Sequence, residues 1–116
     1  MKANELMIGD WVRGFVPDSN STIYGIFNEQ RIAIIAEPSK AYIELSIDDI
    51  QPIPLTPEIL KKNFPTAVEL AWWPVEDGLH CESHNTEDIM VSGVFRFVHQ
   101  LQNALRLVGV DKTIVL

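Results

Sequence analysis

Ser92–Gly109 reads "SGVFRFVHQLQNALRLVG". Val94, Phe97, Val98, Leu101, Ala104, Leu105 and Val108 recur in it at helical spacing and form one apolar stripe, with Ser92 placed to cap the start and Gly109 to stop the end. The spacing predicts one amphipathic helix over the run. Such a stripe stabilises only when it is covered, by about 1.5–3 kcal/mol for each large side chain that leaves water. A sheet built by the preceding residues is the expected cover, which predicts an α+β protein.

The sheet-forming part is legible upstream of Pro52. Four runs rich in β-branched and aromatic residues, "DWVRGFV" (10–16), "TIYGIF" (22–27), "QRIAIIA" (30–36) and "AYIELSI" (41–47), are separated by "PDSNS", "NE" and "EPSK". In the last run Ile43, Leu45 and Ile47 alternate with Tyr42, Glu44 and Ser46, the period of a strand with one buried face. Short strands joined by tight turns predict a small closed barrel, which leaves no sheet edge exposed. The opening "L-x-x-G-D-W-V" and the later "IDDIQPIPL" are similar to the first strand and the closing turn of SH3-like barrels.

Past "PIPL", Thr56 is placed to cap a short helix with Pro57 first, Glu58 in its first turn, Lys61 and Lys62 near its end and Asn63 as its last residue. "VELAWWPV" and "LHCES" flank an Asp77-Gly78 turn and predict a hairpin, in which Pro74 marks an edge strand or a strand end. "KTIVL" predicts a final short strand. The expected organisation is therefore an SH3-like barrel over 1–55 and an α+β subdomain over 56–116 packed on it.

Composition narrows the setting. The chain has 116 residues, 47% of them hydrophobic, and a formal charge of −7. A chain of this length buries roughly two-thirds of its unfolded surface without staples. A single cysteine forms no internal disulfide, and the N-terminus lacks the apolar run of a signal peptide, so a cytoplasmic protein without a membrane segment is expected. No Lys or Arg occurs from Asn63 to Phe95, while Glu69, Glu76, Asp77, Glu82, Glu87 and Asp88 do. Nucleic acid is disfavoured as a partner, because phosphate contacts need clustered cations.

"ELMIGDWV", "PIPLTPEIL" and "FVHQLQNAL" together resemble the pattern of a family of small uncharacterised proteins of gut-commensal bacteria and their phages or mobile elements. The resemblance covers nearly the whole chain and is most specific at Val98–Asn103. The chain departs from the pattern at Met7, where the family has Arg, and at Asp10, where it has Asn. The resemblance implies no activity and no cofactor.

Three constellations invite chemistry. In "GLHCESHN" (78–85) a strand would turn His80, Glu82 and His84 one way and Leu79, Cys81 and Ser83 the other. His80 and His84 would then lie roughly 13 Å apart, too far to share one zinc ion, so a metal site would need further ligands such as His99. Cys81 reads as a small buried thiol, since alternation turns His80 away from it. On the last helix, Arg96, His99, Asn103 and Arg106 fall at i, i+3, i+7 and i+10, a polar row suited to a carboxylate or phosphate or to the protein's own acids. Trp72 and Trp73 would point to opposite faces of their strand, so an exposed one would serve as a binding anchor. Trp11, Phe15, Tyr24, Phe27 and Tyr42 are either barrel core or the lining of a peptide groove.

The expected function is a noncatalytic protein-interaction or self-assembly module, contacting a protein partner or a second copy through Trp72, Trp73, Arg96, His99, Asn103 and Arg106. The alternative is a metal-dependent or other enzyme using His80, Glu82, His84 and His99. A nucleic-acid-binding accessory of a mobile element is the third reading.

Overall fold

The computed structural model describes residues 2–14, 20–37, 39–66, 69–84, 89–110 and 114–116. The fold is α+β, with two antiparallel sheets of five and three strands and two α-helices. The chain divides into two compact units, Met1–Ile53 and Pro54–Leu116. No helix among the described residues is long and apolar enough to cross a membrane.

In the first unit, β1 (Trp11–Arg13), β2 (Asn20–Ile26), β3 (Arg31–Ala36) and β4 (Ala41–Ser46) form a meander, and a one-turn 3-10 helix (Ile47–Asp49) leads into β5 (Gln51–Pro52). The strand order is β4-β3-β2-β1-β5. Both ends of that order are edges, so the sheet is open and the expected closed barrel is not formed. The closing strand is two residues long and one of them, Pro52, has no N–H to offer, which leaves little to bond a second neighbour. Phe15, Val16 and most of the "PDSNS" turn lie outside the described residues.

Alternation in "AYIELSI" places Leu45 and Ile47 in the core and leaves Tyr42 and Glu44 exposed. The core joins Leu6, Val12, Ile23, Ile32, Ile34, Leu45, Ile47 and Ile50, with Ile26 and Ile43 packed against it. Two turns hold the meander in register. Gly9, at φ +92°, donates its N–H to the Ile23 carbonyl at 2.7 Å, and the fully buried Asp10 carboxylate accepts the Met7 N–H at 2.8 Å. Between β2 and β3, the Asn28 side-chain oxygen accepts the N–H groups of Gln30 (2.8 Å) and Arg31 (2.9 Å), the self-bonding that suits Asn to turns.

In the second unit, α1 (Pro57–Asn63) has the predicted bounds, and the Thr56 hydroxyl accepts the Ile59 N–H at 3.3 Å. A three-stranded sheet follows, β6 (Ala71–Val75), β7 (Gly78–His84) and β8 (Ile89–Phe95), in that order, and then α2 (Val98–Leu107). The run Ser92–Gly109, expected to be one helix, is thus strand up to Phe95 and helix only over Val98–Leu107. Val91 is 6% exposed on the inner side of β8 whereas Val94 is 48% exposed, so alternation along a strand, not a helical stripe, governs this stretch.

Ser92 is consequently not a cap. Phe97 holds the N-cap position without a side-chain acceptor, and Gln100 compensates by accepting the N–H groups of Arg96 (3.0 Å) and Phe97 (3.2 Å). Gly109 does end the helix. It sits at φ +81° while Val110 N–H reaches the Leu105 carbonyl at 2.9 Å and Gly109 N–H reaches Arg106 at 3.0 Å, the paired bonds of a Schellman motif.

Two further expectations need correction. The hairpin turn is Glu76-Asp77, one residue earlier than Asp77-Gly78, because Val75 pairs directly with Gly78. The C-terminal segment Ile114–Leu116 is irregular chain and no strand; Lys112 and Thr113 lie outside the described residues. Side-chain amides replace a sheet partner there. Asn63 accepts the Val115 N–H and donates to the Val115 carbonyl, both at 2.7 Å, and Gln102 accepts the N–H of the fully buried Ile114 at 2.7 Å.

Candidate functional site

The three-stranded sheet has two unlike faces. Cross-strand pairs put Leu79, Cys81 and Ser83 on the buried side, each 6% exposed or less. The other side carries Trp73 opposite His80 and Glu82 opposite Ser92. The Trp73 and His80 rings stack with centroids 4.4 Å apart, His80 Nε2 lies 3.1 Å from Glu82 Oε1, and the Ser92 hydroxyl donates to the same oxygen at 3.4 Å. A partly exposed chain of aromatic ring, imidazole, carboxylate and hydroxyl results. The imidazole is engaged on its flat side by Trp73 and on its edge by Glu82.

His99 lies on α2, 3% exposed and stacked on Phe97 at 6.0 Å. The His84 side chain lies outside the described residues. Among the described residues, no three His, Cys, Asp or Glu side chains gather in a way that could hold a metal ion. Cys81 is fully buried, its thiol directed to the Leu79 carbonyl at 3.8 Å, and burial pushes its pKa up to about 11. A thiol so placed is protonated at neutral pH and is no nucleophile.

The polar row on the last helix does not assemble as spaced. Arg96 precedes α2 and bonds the hairpin turn, its Nε donating to the Asp77 carbonyl at 2.8 Å with a guanidinium nitrogen 3.6 Å from the Asp77 carboxylate. His99 turns inward, as does Gln102 at 2% exposure. Only Asn103 and Arg106 stay together, with Arg106 donating to the Asn103 side-chain oxygen at 3.3 Å. Arg96 is out of line with the others because it lies in the link between β8 and α2, before the helix begins.

Trp72 and Trp73 do separate as strand alternation requires. Trp72 pairs with Cys81 toward the buried side, and Trp73 pairs with His80 and is 43% exposed.

A second surface belongs to the first unit. Ile23 pairs with Ile34 and Gly25 with Ala33, so two steps on β2 answer one on β3 and Tyr24 is the extra residue of a β-bulge. The bulge turns Tyr24 toward Tyr42 of β4, and the two rings meet edge to face at 5.5 Å. Tyr24, Phe27 and Tyr42 are 60%, 54% and 51% exposed, while Ala33 between their strands is fully buried. The Tyr42 hydroxyl donates to Glu44 at 3.1 Å. Desolvation, that hydrogen bond and the Glu44 charge, then Tyr24, together raise the Tyr42 pKa above its ordinary value. Of the expected groove aromatics, these three are outward, Trp11 is half-buried and Phe15 lies outside the described residues. A glycine next to a tyrosine inside a strand run is the sequence signal for this surface, because it marks a bulge.

No protein-family model, curated protein or solved structure matches this chain.

Proposed function

We propose that the protein is a noncatalytic interaction module that binds an extended segment of a protein partner on the outer face of its first sheet. The observation that carries this reading is the solvent-exposed trio Tyr24, Phe27 and Tyr42 around a floor of Gly25 and Ala33. Large rings on a rigid sheet give contact area at small cost in side-chain entropy. Glu44, bonded to Tyr42, adds a negative charge, so a segment bringing Lys or Arg over the rings is favoured. A meander whose short fifth strand returns to β1 after a 3-10 turn also supports an SH3-like reading of this unit, although it is open.

Selection of a random displayed peptide library on the intact protein tests the reading. Enriched peptides rich in proline and carrying a basic residue, weakened at least tenfold by the double change Tyr24→Ala, Tyr42→Ala, are the expected outcome. Peptides that bind the double variant as well as the wild type would overturn it. Sedimentation over a range of concentrations checks the self-assembly form of the reading, in which the same double change would dissociate an oligomer.

A further inference from the structure

A cleft of about 340 Å³ lies against β6 in the second unit. Its volume falls in the range of roughly 300–1,000 Å³ typical of small-molecule sites. The chemistry of its lining is one-sided. Phe64 and Leu70, 4% and 1% exposed, form an apolar floor, and the edge strand β6 supplies the wall at Ala71, Trp72 and Trp73. Lys61 and Thr66 contribute an ammonium and a hydroxyl. No carboxylate is among the described lining residues. Lys61 has no hydrogen-bond or ion-pair partner among the described residues, whereas its neighbour Lys62 donates to the Leu116 carbonyl at 2.6 Å.

A cation with no partner among the described residues, beside an apolar, aromatic cleft, stands out on a chain of charge −7. We infer that the cleft binds a small amphipathic anion, a planar apolar body bearing one carboxylate. The body lies along the edge of β6 at Ala71, Trp72 and Trp73, over Phe64 and Leu70. The carboxylate takes the charge-assisted bond from Lys61, with the Thr66 hydroxyl able to donate to its second oxygen. A neutral body of the same shape loses the Lys61 contact, and a cationic one is repelled. The site uses none of the residues of the Tyr24–Tyr42 surface, so the two readings stand or fall separately.

Titration of the intact protein with 2-naphthoate, and separately with 2-naphthamide as its neutral counterpart, tests the site by the indole N–H resonances of its three tryptophans. Naphthoate is expected to shift Trp72 and Trp73 and to leave Trp11, in the other unit, unmoved. The amide binds about three- to tenfold more weakly, and Lys61→Gln removes that difference while leaving amide binding as it was. Absence of shifts at Trp72 and Trp73 up to millimolar probe would overturn the proposal, as would equal affinity for acid and amide or a preference that survives Lys61→Gln. Because Lys61 is exposed near the end of α1, its replacement leaves the fold intact, and an unchanged set of resonances in the unliganded variant verifies this.

Discussion

At single positions the polar residues that matter most are those that hold turns and chain ends. Asp10 is fully buried and its carboxylate accepts the Met7 N–H, so Asp10→Ala leaves that donor without its acceptor at the entry to β1. The expected loss is about 1–2 kcal/mol in urea unfolding, and Asp10→Asn, which keeps an oxygen in place, is expected to lose less than half as much. Asn63 works harder, since its amide serves both backbone groups of Val115 and the Ile59 carbonyl. Asn63→Ala is expected to cost about 2–3 kcal/mol and to raise amide exchange at Val115. Cys81 gives a pH signature. Its pKa rises from about 9 to about 11 in the folded protein, so the native state holds the thiol proton more tightly than the unfolded chain does. That stabilisation is fully present below pH 9 and is lost as pH rises through 11. It amounts to roughly 2–3 kcal/mol. Cys81→Ala is expected to flatten the decline between pH 9 and 11 measured by denaturant unfolding, and the wild-type thiol to resist a thiol reagent at pH 8 until urea is added.

Among the elements, α1 and the end of α2 were legible locally, because Thr56-Pro57 and Gly109 carry their capping chemistry in their own side chains or lack of one. The β8–α2 stretch was not. Val94, Phe97 and Val98 fit a helical period, while Val91, Gly93 and Phe95 fit a strand period, and the competition is settled by β7, which pairs residue for residue with Leu79–Ser83 against Phe95–Val91. Gly78 is where this pairing is least tolerant. It has φ +152°, and a Cβ there would lie 2.7 Å from the Phe95 carbonyl oxygen. Gly78→Ala is therefore expected to destabilise the protein by about 2 kcal/mol and to increase amide exchange in β7 and β8 more than in β2 and β3. The Tyr24 surface was hidden for a related reason: alternation alone assigns Tyr24 and Gly25 to opposite faces, and the bulge that aims Tyr24 at Tyr42 exists only once β2 is paired with β3.

For the whole molecule, charge is the property that composition decides and folding hardly alters. With −7 overall and no Lys or Arg between Asn63 and Phe95, a broad basic surface is not expected. Anisotropy titrations with single- and double-stranded DNA and RNA at low salt are expected to show no salt-dependent binding, and a steep salt slope would contradict this. Class and much of the element order follow from sequence alone: alternation in "AYIELSI", turn residues between the N-terminal strands, the cap of α1 and the stop of α2 act over a few bonds, so they are present in any conformation. The open edge of the five-stranded sheet, the strand over Ile89–Phe95, the inward turn of His99 and Gln102 and the amide clasp on Ile114 and Val115 are settled only in the tertiary structure. Each depends on a hydrogen-bond or packing partner distant in the chain, and periodicity carries no information about which partner arrives.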